Sequence, residues 1–217
     1  MSYSLCSATS ILTYRNDDQV SEEAGIAVDL LIYARSLIDE YSDWEKGSLI
    51  NPEVYPRDKN SEVEVANEIF LNAFNYILCH EFSHFELGHI ERANTEVKLS
   101  IEERKENEIE ADRRAIDLII SGITEGTGKT EAATKGITIA ICSMLYAKET
   151  VGNKIHPDTD VRIIAALDQL GVDDNNELWS IACSALYLWK IMYQVEFCWA
   201  DGGSMREIFT STSRQLE

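Results

Sequence analysis

Hydrophobic and polar positions recur along most of this 217-residue chain with the period of an α-helix, which predicts a mainly α fold. The clearest stretch runs from Glu62 to Ile90. On a wheel at about 100° per residue, Ala66, Ile69, Phe70, Ala73 and Ile77 form one stripe, and His80 and His84 continue its middle. Ser61 with Glu64 makes a capping box that opens this helix, and Gly88 with the charged pair Glu91-Arg92 marks its end. A second helix is predicted from about Ile101 to Ser121, with Gly122 as its stop. Ile101, Ile109, Ala115, Ile116 and Ile119 define its apolar face. Glu108 and Asp112, one turn apart, fall in the middle of that face, whereas Glu110 falls on the opposite side with Glu103, Glu106 and Asp117.

The pattern elsewhere is less regular. Residues 3–14 read as a short strand or hairpin, and with the region 43–60 they predict a small N-terminal β-sheet. Ser21-Glu22-Glu23 opens a helix that runs to about Tyr41. The segment Gly47 to Asn60 carries Pro52 and Pro56 and reads as a loop that borders the cleft. After a Gly/Thr-rich link, a helix is expected from about Ala132 to Thr150. Pro157 starts another at its first helical position, ending near Leu170. A last apolar helix spans about Glu177 to Ala200, and Gly202-Gly203 opens a tail whose end is expected to be disordered. There is no internal repeat and no long linker, so one domain over residues 1–217 is expected.

Charge and composition narrow the function. The net charge is −19, from 38 acidic against 19 basic residues, which argues against non-specific nucleic-acid binding because that requires cationic neutralisation of phosphates. Cys6, Cys79, Cys142, Cys183 and Cys198 are scattered and make no C-x-x-C pair, as expected of a reduced, cytoplasmic protein. The start of the chain lacks a basic segment followed by an apolar one, so no signal peptide is expected. The apolar run Leu178–Val195 is broken by Lys190 and Gln194 and reads as a buried helix rather than a membrane span.

The chemistry sits at His80-Glu81-Phe82-Ser83-His84. Positions i and i+4 of a helix share a face, so both imidazoles can reach one ion, with Glu81 beside them. A catalytic Zn²⁺ site uses three protein ligands and an open position for water. Glu108 is the third ligand of choice, because a carboxylate on an apolar face is costly unless it is paired or binds a metal. Asp112 is one turn further on and can accept the free N–H of a ligand histidine, fixing its tautomer. Glu81 is the general base that takes a proton from the attacking water and passes it to the leaving amine. His156 or Arg162 is a candidate for stabilising the oxyanion; otherwise Arg162 packs or pairs structurally and His156 caps a helix. His89 is left out of the ligand set, because on a continuing helix it lies about 140° from His84. Gly126-Thr127-Gly128-Lys129-Thr130 resembles a phosphate loop, but its spacing is wrong and it follows a helix rather than a strand.

Taken together, His80-Glu81-x-x-His84, Glu108-x-x-x-Asp112 and His156-Pro157-x-x-x-x-Arg162 resemble the gluzincin pattern of the CAAX-processing and heat-shock zinc peptidases. More narrowly, "ANEIFLNAFNYILCHEFSHFELGHI", "ENEIEADRRAID" and "HPDTDVRI" resemble the phage-exclusion peptidases of the Lit type, peptidase U49, over about residues 62–170. That resemblance implies a compact zincin-type metallopeptidase domain in a cytoplasmic bacterial or prophage protease. It implies a protein or peptide substrate, in the family a host translation elongation factor cut during phage infection, and it leaves room for a phage-derived or host activator. The transmembrane helices of the CAAX-type enzymes are missing here, so no membrane partner is expected. The competing class is a non-catalytic binding or regulatory protein that keeps zinc as a structural clamp. A fourth metal position closed by Asp112 or His89 would favour it.

Overall fold

The computed structural model describes residues 62–94, 98–123, 129–147 and 158–216, together with the helical positions Asp29, Ile32, Tyr33 and Ser36. The expected N-terminal strand, most of the helix over 21–41, the loop at 47–60, Ser61 and His156 lie outside the described residues. Within them the chain is helical, and no strand occurs among them. Contacts divide the chain into two units, Met1–Leu71 and Asn72–Glu217, and the candidate site lies wholly in the second.

The helix that carries His80 and His84, α1, spans Glu62–Glu86, and a short helix, α2, follows over His89–Ala93. The sequence pattern predicted one helix through Ile90. Gly88 interrupts it, adopting the left-handed conformation at φ 71° and capping α2. Only glycine enters that region without a steric penalty. The buried line of α1 is Ala66, Ile69, Ala73, Tyr76, His80 and Ser83, at alternating steps of three and four. The predicted stripe is therefore right in direction but slightly rotated, with Phe70 and Ile77 at its half-buried edge.

The next helix, α3, spans Ile101–Ser121, the predicted bounds. Ser100 and Glu103 form a capping box: the serine hydroxyl accepts from the Glu103 amide at 3.1 Å, and the Glu103 carboxylate accepts from the Ser100 amide at 2.7 Å. Ala111, Asp112, Ala115, Ile116 and Ile119 are its buried residues. Ile101, expected on the apolar face, is exposed in the first turn. Arg114 on α3 clasps the end of α1, with Nε donating to Glu86 Oε2 at 2.6 Å and Nη2 to Oε1 at 2.8 Å.

A fourth helix, α4, spans Lys129–Cys142 and continues as a 3₁₀ turn over Ser143–Ala147. It is closely enclosed: Ala132, Ala133, Ile137, Ile139, Ala140, Ile141 and Cys142 are all buried. Around it pack α3, α5 (Thr159–Gln169) and α6 (Glu177–Tyr193). Gly136 lets α4 approach α1 closely, because a Cβ built there would lie 2.5 Å from Asn72 Cβ and 2.8 Å from the Ala73 nitrogen. The helix α5 begins at Thr159 with Asp158 as its cap; Pro157, expected at its first position, lies outside the described residues.

The last part of the chain differs most from the sequence reading. Helix α6 stops at Tyr193 because Gln194 turns left-handed at φ 54°. After an irregular stretch, a further helix, α7, spans Met205–Ser213 and docks on α6. Ser204 and Glu207 cap it reciprocally, and Phe209 is fully buried against the Trp179 ring, with centroids 6.0 Å apart. The tail whose end was expected to be disordered thus carries an anchored helix, because Phe209 gives it an apolar side to bury. No helix among the described residues is long and apolar enough to cross a membrane.

Candidate active site

Helices α1 and α3 bring three donor groups together. Nε2 of His80 lies 3.2 Å from Nε2 of His84. Glu108 faces both imidazoles, with Oε2 at 3.5 Å from His80 Nε2 and Oε1 at 3.6 Å from His84 Nε2. Among the described residues these three form the group of His, Cys, Asp and Glu side chains whose donor atoms all converge. Zinc with bonds of about 2.0–2.1 Å in tetrahedral geometry separates its ligands by about 3.3–3.4 Å. The His80–His84 separation of 3.2 Å is close to that value, and Glu108 turns one oxygen toward each imidazole at 3.5 and 3.6 Å, which leaves its carboxylate within reach of the same ion. The donor chemistry, two imidazoles and one carboxylate, is also that of a zinc site with a catalytic role.

Behind His80 stands a buried polar hub. Asp112 Oδ1 lies 2.9 Å from His80 Nδ1, with the N–H axis off the direct line to the oxygen, so the contact is an ionic approach more than a well-aligned hydrogen bond. The Tyr76 hydroxyl donates to Asp112 Oδ1 at 2.6 Å. Arg162 donates from Nε to Oδ2 at 2.7 Å and from Nη2 to Oδ1 at 2.6 Å. All four side chains are buried. Burial alone would raise the Asp112 pKa, but the close approach of His80, the hydrogen bonds from Arg162 and Tyr76 and the Arg162 charge hold it down at about 2. Burial likewise works against the His80 cation, and the flanking carboxylates of Asp112 and Glu108 more than reverse that, pushing it up to about 9. His84 behaves differently: burial, and then the neighbouring His80 charge, lower its pKa.

Glu81 is exposed and lies on the open side. A cavity of about 450 Å³ is lined there by Glu81, His84, His89 and Glu108, with Ile90 and Leu99 on its wall. The residues expected to act together are thus on one side of α1, and the cavity reaches two of the three donor residues. Arg162 is not among the residues that line it. Its guanidinium is committed to Asp112, with Nη1 turned to Glu108 Oε2 at 3.8 Å. In this position it pairs structurally, which was the alternative to an oxyanion role. His89, left out on the assumption of an unbroken helix, is 3% exposed and packs against His84. Tyr76 was missed as well; its position four residues before His80, on the same face, is the signal that marks it.

Comparison with the curated proteins and with the solved structures gives no match. Comparison with protein families does: the model of the family described as peptidase U49 matches residues 3–182, a span that contains α1, α3, α5 and every side chain of the site described above. The chain belongs to the peptidase U49 family, the Lit-type peptidases, and is a peptidase acting on protein substrate.

Proposed function

We propose that this chain is a zinc-dependent endopeptidase in which His80, His84 and Glu108 hold Zn²⁺ and Glu81 is the general base. The observation that carries this reading is the convergence of His80, His84 and Glu108, with the two Nε2 atoms 3.2 Å apart and a carboxylate oxygen 3.5 and 3.6 Å from each, beside a cavity that Glu81 also lines. When bound, the ion supplies a Lewis acid that lowers the pKa of a water molecule toward about 7 and polarises a carbonyl. Glu81 takes a proton from the attacking water and hands it to the leaving amine. Asp112 holds His80 from behind, and Arg162 and Tyr76 fix Asp112, so the imidazole is oriented before any ligand arrives. The two residues that would close the fourth position of a structural site are engaged elsewhere, Asp112 with Arg162 and Tyr76, and His89 with Glu110, which supports catalysis over a clamp.

Membership of the Lit-type family supports a narrower reading, phage exclusion in the cytoplasm by cleavage of a host translation elongation factor, with a phage-derived or host activator. One experiment addresses both levels. Purified wild type and Glu81→Gln should each carry about one zinc, and only the wild type should cut protein. The Glu81→Gln form, used as a trap in infected cells, should retain the substrate for identification by mass spectrometry. Proteolysis by Glu81→Gln at the wild-type rate would remove Glu81 from the mechanism.

A further inference from the structure

The left-handed turn at Gly88 ends α1 and sends the chain back over its last turn. His89, the first residue of α2, is thereby folded onto His84. Their Nδ1 atoms are 2.9 Å apart, and the rings meet edge to face with centroids at 5.0 Å. The other nitrogen of His89, Nε2, lies 3.1 Å from Oε2 of Glu110 on α3, two residues beyond Glu108. The three side chains form a line from the donor cluster to the surface: His84, then His89 at 3% exposure, then Glu110, whose side chain is 55% exposed.

Hydrogen-bond polarity fixes how this line works. A neutral imidazole carries one N–H and one acceptor nitrogen. If His84 gives Nε2 to the metal, its proton sits on Nδ1 and is donated to His89 Nδ1. His89 must then carry its own proton on Nε2, where the Glu110 carboxylate accepts it. With both rings neutral, no other pair of tautomers satisfies both contacts. His80 is backed by an acid directly, through Asp112, and His84 is backed by one through an intervening imidazole.

We infer that His89, held by Glu110, is a positioning residue for the metal ligand His84, selecting its Nδ1–H tautomer and locking its ring. The inference rests on the metal reading above. Partners behind ligand histidines commonly contribute about 10–100-fold to metal affinity.

Zinc affinity, measured by competition with a chromogenic chelator, tests it without recourse to activity. Thermal unfolding of the metal-free proteins in parallel reports any loss of fold. His89→Leu removes the acceptor for His84 and should weaken zinc binding about 10–100-fold. His89→Asn places an amide oxygen near the position of Nδ1 and should recover most of that loss. Glu110→Ala changes an exposed side chain, so the fold is not at stake, and it should still weaken binding about 10-fold. Wild-type affinity in both His89→Leu and Glu110→Ala would overturn the inference, as would an asparagine variant no better than leucine at equal metal-free stability. A wild-type protein that takes up no zinc would overturn the metal reading itself and this inference with it.

Discussion

Arg162 grips both carboxylate oxygens of Asp112, through Nε at 2.7 Å and Nη2 at 2.6 Å, across a sequence separation of 50 residues. The two residues lie on α5 and α3, and each is almost fully removed from solvent. Such a pair is stable because each charge satisfies the other, and removing one partner strands the second in a low-dielectric site. Arg162→Leu should therefore cost about 3–5 kcal/mol, read from urea denaturation of the metal-free protein. The double variant Arg162→Leu, Asp112→Leu should cost less than Arg162→Leu alone. An Arg162→Leu protein of wild-type stability would show that the clamp is not structural.

Glu108 and Glu110 are neighbours with different predicted effects. Glu108→Ala should leave the purified protein well below one zinc per chain, measured by mass spectrometry of the metal. Glu110→Ala should keep full stoichiometry at saturating zinc. Zinc should also raise the melting temperature of the wild type, since a ligand that binds only the folded state stabilises it by mass action, and a chelator should reverse the rise. No such rise is expected for Glu108→Ala.

Gly136 tests the packing that places α1. In an ordinary helix, alanine is better than glycine by about 1 kcal/mol. Here the added methyl group would meet backbone atoms of Asn72 and Ala73 at 2.8 to 2.9 Å, which cannot move aside as a flexible side chain can. Gly136→Ala should therefore destabilise the protein by about 1–3 kcal/mol. A gain in stability by calorimetry would contradict the close approach of α4 to α1.

Lys135 carries a prediction about pH. It is 5% exposed and bridges Glu131 at 2.7 Å and Glu177 at 3.0 Å. Burial works against its charge, but the two carboxylates outweigh it and raise the pKa above the ordinary 10.5. A group whose folded pKa is raised contributes fully below its unfolded value and loses that contribution as pH rises through the folded one. The stability gap between wild type and Lys135→Met should thus be constant up to about pH 10 and shift against the wild type above the ordinary lysine pKa of 10.5. A pH-independent gap would mean that Lys135 gains nothing from its two partners.

The C-terminal helix should be needed for stability. Phe209→Ala should cost about 3–5 kcal/mol, because the ring is fully buried beside Trp179. Ser204→Ala removes the cap and should cost about 1 kcal/mol. Both are readable by thermal unfolding, and a truncation before Ser204 with unchanged melting temperature would contradict the docked helix.

Sequence alone determined the mainly α character, the bounds of α3, and the placing of His80, His84, Glu108 and Asp112 on faces that turn inward. These follow from residues three and four positions apart, and helical periodicity is a local property that the chain carries with it. What only the tertiary structure decided is how separate helices meet. The wheel placed Glu110 on the solvent side of α3, and its side chain is indeed 55% exposed, yet it reaches His89 because α2 lies across that side. That crossing depends on one left-handed residue, Gly88, whose conformation no periodicity records. Arg162 finds Asp112 only after α5 has packed on α3. A contact between residues 50 apart is set by the packing of whole helices, and no local pattern in the chain encodes it.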